Sequence, residues 1–170
     1  NFLKKYPNSP FYKEINKLVV TSFMHQQNYQ GALEYLRKKN TTDNLALTLE
    51  VSLYRGIQLF NENMLQETLP YFEKSKMSSD AKINKKASYW EAETLYRLEK
   101  FTEALPKFKS VKRTLRSNIK EFPLIDYNIG YSHFKLKEYD KAIDAFTLFL
   151  KEDLIENEVK DDAFIRLGDS

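Results

Sequence analysis

Apolar residues recur along this chain three and four positions apart, which is the spacing that places side chains on one face of an α-helix. Short polar segments separate these amphipathic runs. Alternating strand patterns bounded by Gly or Asn-Gly turns are absent from the sequence. The pattern therefore predicts an all-α protein with short connections. The predicted helices span residues 9–27, 30–39, 43–61, 66–77, 81–98, 102–118, 123–136, 140–152 and 159–168.

Four blocks of the sequence share one pattern around a small residue. An aromatic residue or Leu lies three positions before it, and a large apolar residue lies four positions after it. These small residues are Ala32, Thr68, Ala104 and Ala142, at intervals of 36, 36 and 38 residues. A second small position lies 12 residues earlier, at Val20, Gly56, Ala92 and Gly130. Each block therefore predicts two helices, A and B, whose backbones approach closely at the small residues.

This pattern resembles the tetratricopeptide repeat (TPR). The block Ile125–Leu150 carries the resemblance best, and its matching residues are Ile129-Gly130 for the family's Leu-Gly, Tyr139 for the turn aromatic, Ala142 for the helix-B alanine and Phe146 for the helix-B aromatic. The units here have 36–38 residues, where the family has about 34. The closing proline of the family is absent from all four units.

The resemblance implies a right-handed α-solenoid of about four TPR helix-turn-helix units, with partial units at both ends. It predicts a single array over residues 1–170 that is a fragment of a longer protein. The units span about 13–48, 49–84, 85–122 and 123–160, with partial units at 1–12 and 161–170. Incomplete terminal repeats would also allow pairing with another copy of the chain.

Caps and prolines predict where the helices begin. The predicted N-caps are Ser9 with Pro10 as the first helical residue, Thr42 or Asp43, Asp80, and Asp140. Pro70 and Pro106 lie two positions after the small residue, in the predicted first turn of helix B. Because proline lacks an N–H and crowds the preceding turn, we expect a kinked or late-starting helix B in those two units.

The sequence offers no catalytic constellation. Its lack of Cys excludes disulfides, thiolate catalysis and Cys-type zinc sites. His25 and His133 have no second His or well-spaced carboxylate nearby in the sequence, which favours structural roles for both. Glu91 and Glu93 are two positions apart on a helix and therefore point to different faces. No Gly-rich phosphate loop is present. We expect a protein that is not an enzyme and has no cofactor or metal.

The family's A helices line a concave groove that holds peptides, so the resemblance implies a protein or peptide partner. The implied partner-binding residues are Tyr89, Tyr96, Arg97, Tyr127, Tyr131, Phe134 and Lys135. The earlier units contribute Lys17, Thr21, Met24, His25, Leu53, Ile57, Phe60 and Asn61 to the same groove. The alternative is that the aromatic stripe packs between repeats. The family's clamp for C-terminal carboxylates is not assembled, because Leu18 and Thr21 occupy its two Asn positions.

Two other interpretations remain open at this point. The first is a structural spacer in a larger multi-repeat protein, without a ligand of its own. The second is an anion-binding surface at the basic stretch Lys107–Lys120, although a solvated outer helix face is the more ordinary explanation. Nucleic acid is not favoured, since the one aromatic of this stretch, Phe108, lies on its apolar stripe together with Val111, Leu115 and Ile119. The net charge of +3 is too small to require an anionic partner.

Two phrases resemble those of bacterial envelope TPR proteins, namely the outer-membrane β-barrel-assembly lipoprotein and the Tol–Pal coordinator. They are "FLKKYPNSPF" (Phe2–Phe11) and "ASYWEAETLYRLEKFTEAL" (Ala87–Leu105). The resemblance implies a bacterial periplasmic or outer-membrane-associated protein, and a cytoplasmic location stays open. No apolar run approaches the ~18 residues of a membrane span.

Overall fold

The computed structural model describes residues 11–39, 44–115, 121–151 and 157–170. Over these ranges the chain is all-α, with helices joined by short turns. The helices are α1 (Tyr12–His25), α2 (Tyr29–Lys39), α3 (Leu45–Asn61), α4 (Leu65–Ser75), α5 (Ala81–Arg97), α6 (Phe101–Leu115), α7 (Ile125–Lys135), α8 (Tyr139–Phe149) and α9 (Asn157–Gly168). Every predicted helix corresponds to one of these, and the ends differ by at most three residues. The predicted fold class is confirmed.

One turn geometry recurs wherever a helix A gives way to a helix B. Its left-handed residues are Gln27, Asn63, Glu99 and Lys137, with φ of 55°, 60°, 57° and 60°. In the first turn the amide of Gln27 donates to the Met24 carbonyl, and that of Asn28 donates to the Phe23 carbonyl, each at 2.9 Å. The other three turns repeat both bonds. This is the Schellman motif, which satisfies the last carbonyls of helix A.

The predicted N-caps have different outcomes. Asp80 is confirmed, since its Oδ1 accepts a hydrogen bond of 2.8 Å from the Lys82 amide. Asp140 is wrong, because α8 begins at Tyr139 with Glu138 as its N-cap residue. The Glu138 amide completes the preceding Schellman turn, so the next helix starts directly after it. Ser9, Pro10, Thr42 and Asp43 lie outside the described residues.

The small residues are the points of closest contact between paired helices. Ala32, Thr68, Ala104 and Ala142 are all fully buried. A Cβ added to Gly56 would lie 2.5 Å from Phe72 Cε1, and one added to Gly130 would lie 2.8 Å from Phe146 Cδ1. The helix-B aromatic therefore rests directly on the backbone of helix A, which confirms the predicted close approach.

Replacing Gly56 by Ala should lower the free energy of unfolding by about 1–2 kcal/mol. The added methyl group would displace the buried Phe72 ring, and a gain of up to about 1 kcal/mol in helix propensity offsets only part of that cost. Ala92 at the corresponding position of the third block shows that a methyl group can be accommodated after repacking. Gly168→Ala is the matched control, since nothing lies within 4 Å of a Cβ there. If urea denaturation showed equal losses of stability for Gly56→Ala and Gly168→Ala, the close approach of the helices at Gly56 would be contradicted.

The two prolines do not delay their helices. Helices α4 and α6 begin at Leu65 and Phe101, three residues before the small residue, in the same register as α2 and α8. The predicted late start is therefore wrong, because the Schellman turn sets where helix B begins. Pro70 and Pro106 are each the sixth helical residue and lie on an exposed face. The predicted kink stays a prediction.

The chain forms two compact units, Asn1–Ala87 (unit one) and Ser88–Ser170 (unit two). Unit one has a core of Val20, Ala32, Leu36 and Val51. Unit two has a core of Ala142, Phe146, Phe149 and Ala163, and α9 packs there against α7 and α8. The proposed single array, its unit boundaries and its fragment nature stay predictions. None of the helices in the described ranges is both long and apolar enough to cross a membrane.

Candidate functional site

Four half-buried rings on α5 and α7 form one surface of unit two, called here the aromatic face: Tyr96, Tyr127, Tyr131 and Phe134. Tyr131 lies at its centre. The Tyr131 ring is 5.6 Å from Tyr96, 6.1 Å from Tyr127 and 6.4 Å from Phe134, centroid to centroid. The rings support one another and leave part of each surface in solvent. The structure therefore brings together four of the seven predicted partner-binding residues as one aromatic surface.

Tyr89 is not part of this surface. Only 7% of it is exposed, and its ring stacks on Phe122 with centroids 4.0 Å apart. Its hydroxyl donates a hydrogen bond to Glu93 Oε1. The prediction that Tyr89 contacts a partner does not fit this burial, because Phe122, three residues before the start of α7, covers the ring. The family pattern gave no sign of that contact.

Two of the predicted groove residues of unit one are also buried. Leu53 is 1% exposed and Phe60 is 4% exposed, and both belong to the core. Lys17, His25 and Asn61 are exposed, as a groove position requires. Unit one thus offers no aromatic surface at these positions comparable to the aromatic face of unit two.

Cations lie over the rings of the aromatic face. The Lys135 ammonium is 5.4 Å from the Tyr131 centroid. The Arg166 guanidinium, which comes from α9, is 5.6 Å from both the Tyr131 and the Phe134 centroids. Such contacts attract a cation to the face of an aromatic ring. Arg97, which was predicted together with Lys135, is exposed at the end of α5.

Helix α9 also contributes Asp162, which the sequence reasoning missed together with Arg166. The Tyr127 hydroxyl donates to Asp162 Oδ2 at 2.6 Å, and Arg166 donates to Asp162 Oδ1 at 3.2 Å. The hydrogen bond to Asp162 raises the pKa of Arg166. Burial, followed by this same carboxylate, raises the pKa of Tyr127. The only sequence signal was the spacing of four residues between Asp162 and Arg166, which places them on one helix face.

The two neighbouring carboxylates of α5 lie in different surroundings, as their spacing predicted. Glu93 accepts hydrogen bonds from Tyr89 and from the Asn128 amide. Burial raises the pKa of Glu93, although both hydrogen bonds oppose the rise. Glu91 is buried and forms an ion pair of 2.9 Å with Lys107. The two groups cannot serve together as a general acid and a general base.

Comparison with known proteins agrees with this architecture. Residues 126–153 match the family model for the tetratricopeptide repeat. The solved structure of MamA AMB-1 has a TM-score of 0.62 at 20% identity, over 94% of this chain and 85% of that chain. The chain has a TPR-type fold.

Two further MamA structures support the same conclusion. MamA from Desulfovibrio magneticus RS-1 has a TM-score of 0.64 at 17% identity, over 92% of both chains. The MamA RS-1 ArsTM double mutant has a TM-score of 0.65 at 16% identity, over 92% of this chain and 93% of that chain. Identities this low show the shared fold alone. No curated protein matches the sequence.

The basic stretch, whose described part lies on α6, is less open than predicted. Lys107 pairs with Glu91 and Lys112 pairs with Asp126, and both acids are buried. The expectation that all its cations form a solvated outer face is therefore wrong for these two. Lys109 and Arg113 are exposed as predicted, and Phe108, Val111 and Leu115 are buried as predicted. Arg116, Ile119 and Lys120 lie outside the described residues.

The histidines take the places that suit structural roles. His25 is exposed at the end of α1. His133 is 2% exposed, and its Nδ1 lies 2.5 Å from Glu138 Oε2, while Lys141 donates to Glu138 Oε1 at 2.9 Å. Sequence reasoning missed Glu138 because it lies across the turn between α7 and α8. Within the described ranges, no three His, Asp or Glu residues come close enough to hold a metal ion.

Acidification should destabilise the wild type more than a His133→Leu variant. Burial lowers the pKa of His133, and this outweighs the opposing effect of the hydrogen bond that the ring donates to Glu138; Lys109 and Lys141 lower the pKa further. The folded state then binds fewer protons than the unfolded state, so stability falls as pH drops below the ordinary histidine value of about 6.5. The pKa of Glu138 is itself lowered, first by Lys141 and then by His133, and it acts in the same direction at lower pH.

Leu is the appropriate replacement because Leu59 and Leu95 occupy the corresponding position, three residues after the small residue of helix A, in the second and third sequence blocks. Urea denaturation of both proteins between about pH 7 and pH 5 measures the effect. Parallel stability curves for the two proteins would rule out His133 as the cause.

Proposed function

We propose that this protein is a non-enzymatic scaffold that binds a peptide or protein segment at the aromatic face of unit two. The TPR-type fold supports this, since such folds generally serve protein–protein interaction. Stacked helices hold the binding residues in place before the partner arrives. Little conformational entropy is then lost on binding.

The half-exposed rings around Tyr131 carry the proposal. Aromatic side chains offer a large contact area with few rotatable bonds, which makes them the usual anchors of protein interfaces. Here a ring contact between α5 and α7 and another within α7 restrict them further. The contact between α5 and α7 also stabilises the packing of the two helices. The rings therefore contribute to the stability of the fold and, through their exposed parts, to a binding surface.

Removing two of these rings should greatly weaken peptide binding. The probe is a set of peptides selected from a random phage-displayed library on the immobilised wild-type protein. We expect the Tyr96→Ala/Tyr131→Ala variant to bind them at least about 30-fold more weakly, the loss typical of an interface hot spot. Tyr71→Ala is the matched control, because it removes an equally half-buried tyrosine from helix α4 of unit one. Fluorescence polarisation of the labelled peptides gives the affinities.

Circular dichroism of both variants should match the wild type, so that a loss of binding is not a loss of fold. Failure of the library to yield any binding peptide would favour the structural spacer. Peptides that bind all three proteins equally would place the site elsewhere.

We also propose that the protein works in the bacterial envelope. This rests on the resemblance of Phe2–Phe11 and Ala87–Leu105 to envelope TPR proteins. Cell fractionation of the tagged full-length gene product tests it, and recovery in the cytoplasm alone would refute it.

A further inference from the structure

We infer that this chain pairs with a second copy of itself through the outer face of α9, where the Phe164 ring of each copy rests on Gly168 of the other. The outer face is defined here as Phe164, Ile165 and Gly168. The contact repeats, between two molecules, the ring-on-glycine contact that joins paired helices within the chain. The inference goes beyond the peptide-binding function proposed above and does not depend on it.

Gly168 offers an open place for an aromatic ring. It holds the same position of the repeat as Gly130, 38 residues earlier. The ring of Phe146 fills the space beside Gly130, whereas no described residue lies within 4 Å of a Cβ added at Gly168. The Asp169 amide donates to the Ile165 carbonyl at 3.0 Å, so the helix continues through Gly168 and the glycine does not serve as a left-handed cap. Helix α9 therefore has the place for a ring but no ring in it.

The side chains beside this place are apolar and exposed. Phe164 is 59% exposed and Ile165 is 60% exposed, more than any other large apolar side chain described for unit two. The position of Phe164, four residues before the glycine, is buried in the second and fourth blocks, where Ser52 and Asp126 hold it. A phenylalanine exposed at a position that these blocks bury indicates a surface that another helix covers.

The outer face of α9 is complementary to itself. Phe164 and Gly168 are four residues apart, so they lie on the same side of the helix. If two copies of α9 pack antiparallel about a twofold axis near Arg166, position 164 of each faces position 168 of the other. The ring-on-glycine contact then forms twice, and the two Ile165 side chains meet near the axis. Such pairing closes on itself, so it gives a dimer and not a growing chain of copies.

The charges of α9 favour this antiparallel arrangement. Arg166 is turned away from the outer face, since its guanidinium lies over Tyr131 and donates to Asp162. The exposed Asp161 lies one turn before Phe164. In a parallel pair the two Asp161 carboxylates would lie side by side and repel each other. Antiparallel packing separates them by about ten residues, or about 15 Å, along the helix axis.

Sedimentation velocity of the purified chain tests the pairing. One helix pair is smaller than a standard protein interface, so we expect a weak dimer with a Kd between about 10 µM and about 1 mM. Gly168→Phe should weaken the dimer at least about tenfold, because a ring then meets a ring. Adding Phe164→Ala to Gly168→Phe should restore it, because each ring again meets a small residue. Leu148→Ala, which removes an exposed apolar side chain from α8, is the matched control and should leave the dimer unchanged.

Cysteine cross-linking tests the alignment of the two helices. The sequence contains no Cys, so one introduced residue supplies the only thiol of the chain. Ile165→Cys should yield a covalent dimer with a short bis-maleimide, because the twofold axis brings its two copies together. Leu148→Cys is the control, and it should stay monomeric. Equal cross-linking of both variants would place the contact elsewhere and overturn the inference.

The remaining outcomes also decide the inference. A chain that stays monomeric up to about 1 mM, or a dimer that Gly168→Phe leaves intact, would overturn it. If the full-length gene product is monomeric and its Ile165→Cys thiol resists a maleimide dye, another segment of the same molecule covers the face, and the inference fails. Peptide binding at the aromatic face is measured at dilutions where the chain is monomeric, so its success or failure is independent of these results.

Discussion

Replacing Phe146 by Ala should lower the free energy of unfolding by about 3–5 kcal/mol, the range found for deleting a buried aromatic ring. Phe146 is fully buried, and its ring rests on Gly130 on one side and lies 5.9 Å from the Tyr127 centroid on the other. Removing it leaves a cavity between α7 and α8, which glycine at position 130 cannot fill.

The control for Phe146 is Phe164→Ala. It deletes the same atoms from α9 at a position that is 59% exposed, and it should change stability by no more than about 0.5 kcal/mol. Trp90 is the only tryptophan of the sequence and lies in unit two, so its fluorescence during urea denaturation reports on this unit. A loss for Phe146→Ala no larger than that for Phe164→Ala would refute the packing described above.

The second large effect is expected from Lys112→Met, at about 2–3 kcal/mol of unfolding free energy. Lys112 forms an ion pair with Asp126, whose side chain is only 5% exposed. Removing one partner of a buried pair costs about 3–5 kcal/mol, because it leaves an uncompensated buried charge. The expected value is lower because the Lys112 side chain is 33% exposed and partly screened by water.

A double variant separates the charge effect from lost packing. Lys112→Met/Asp126→Asn removes the stranded charge and should recover a large part of the stability. Lys109→Met removes an exposed cation from the same helix and should be nearly neutral. No recovery in the double variant, measured by the same Trp90 fluorescence, would show that the loss does not come from an uncompensated charge on Asp126.

The repeat pattern alone predicted much of the fold. Small residues recur on both helices of each block, such as Gly130 on helix A and Ala104 on helix B. Together with the large apolar residue four positions after each small residue of helix B, they indicated which helices pair and where they approach most closely. These features depend on local periodicity and on side-chain size, which a single sequence displays directly. The late start of helix B expected from the prolines was wrong, because the turn before the helix sets where it begins.

The candidate site was predicted only in part. Tyr96, Tyr131 and Phe134 lie together and are half exposed, as the TPR resemblance implied, and their role in binding stays a prediction. Tyr89 is covered by Phe122, which does not belong to the repeat pattern. Arg166 joins the face from α9 and lies 35 residues after Tyr131 in the sequence.

The sequence by itself determined the helices, their pairing and the faces that each turns toward the core, because these follow from contacts between near neighbours along the chain. Only the tertiary structure decided which charged groups are ion-paired or hydrogen-bonded to residues far along the chain. Glu91 meets Lys107, Asp126 meets Lys112, and Asp162 meets Tyr127, each across more than a helical turn of unrelated sequence. Electrostatic pairing depends on distances of a few ångströms between side chains on different helices, and periodicity along one chain does not specify those distances.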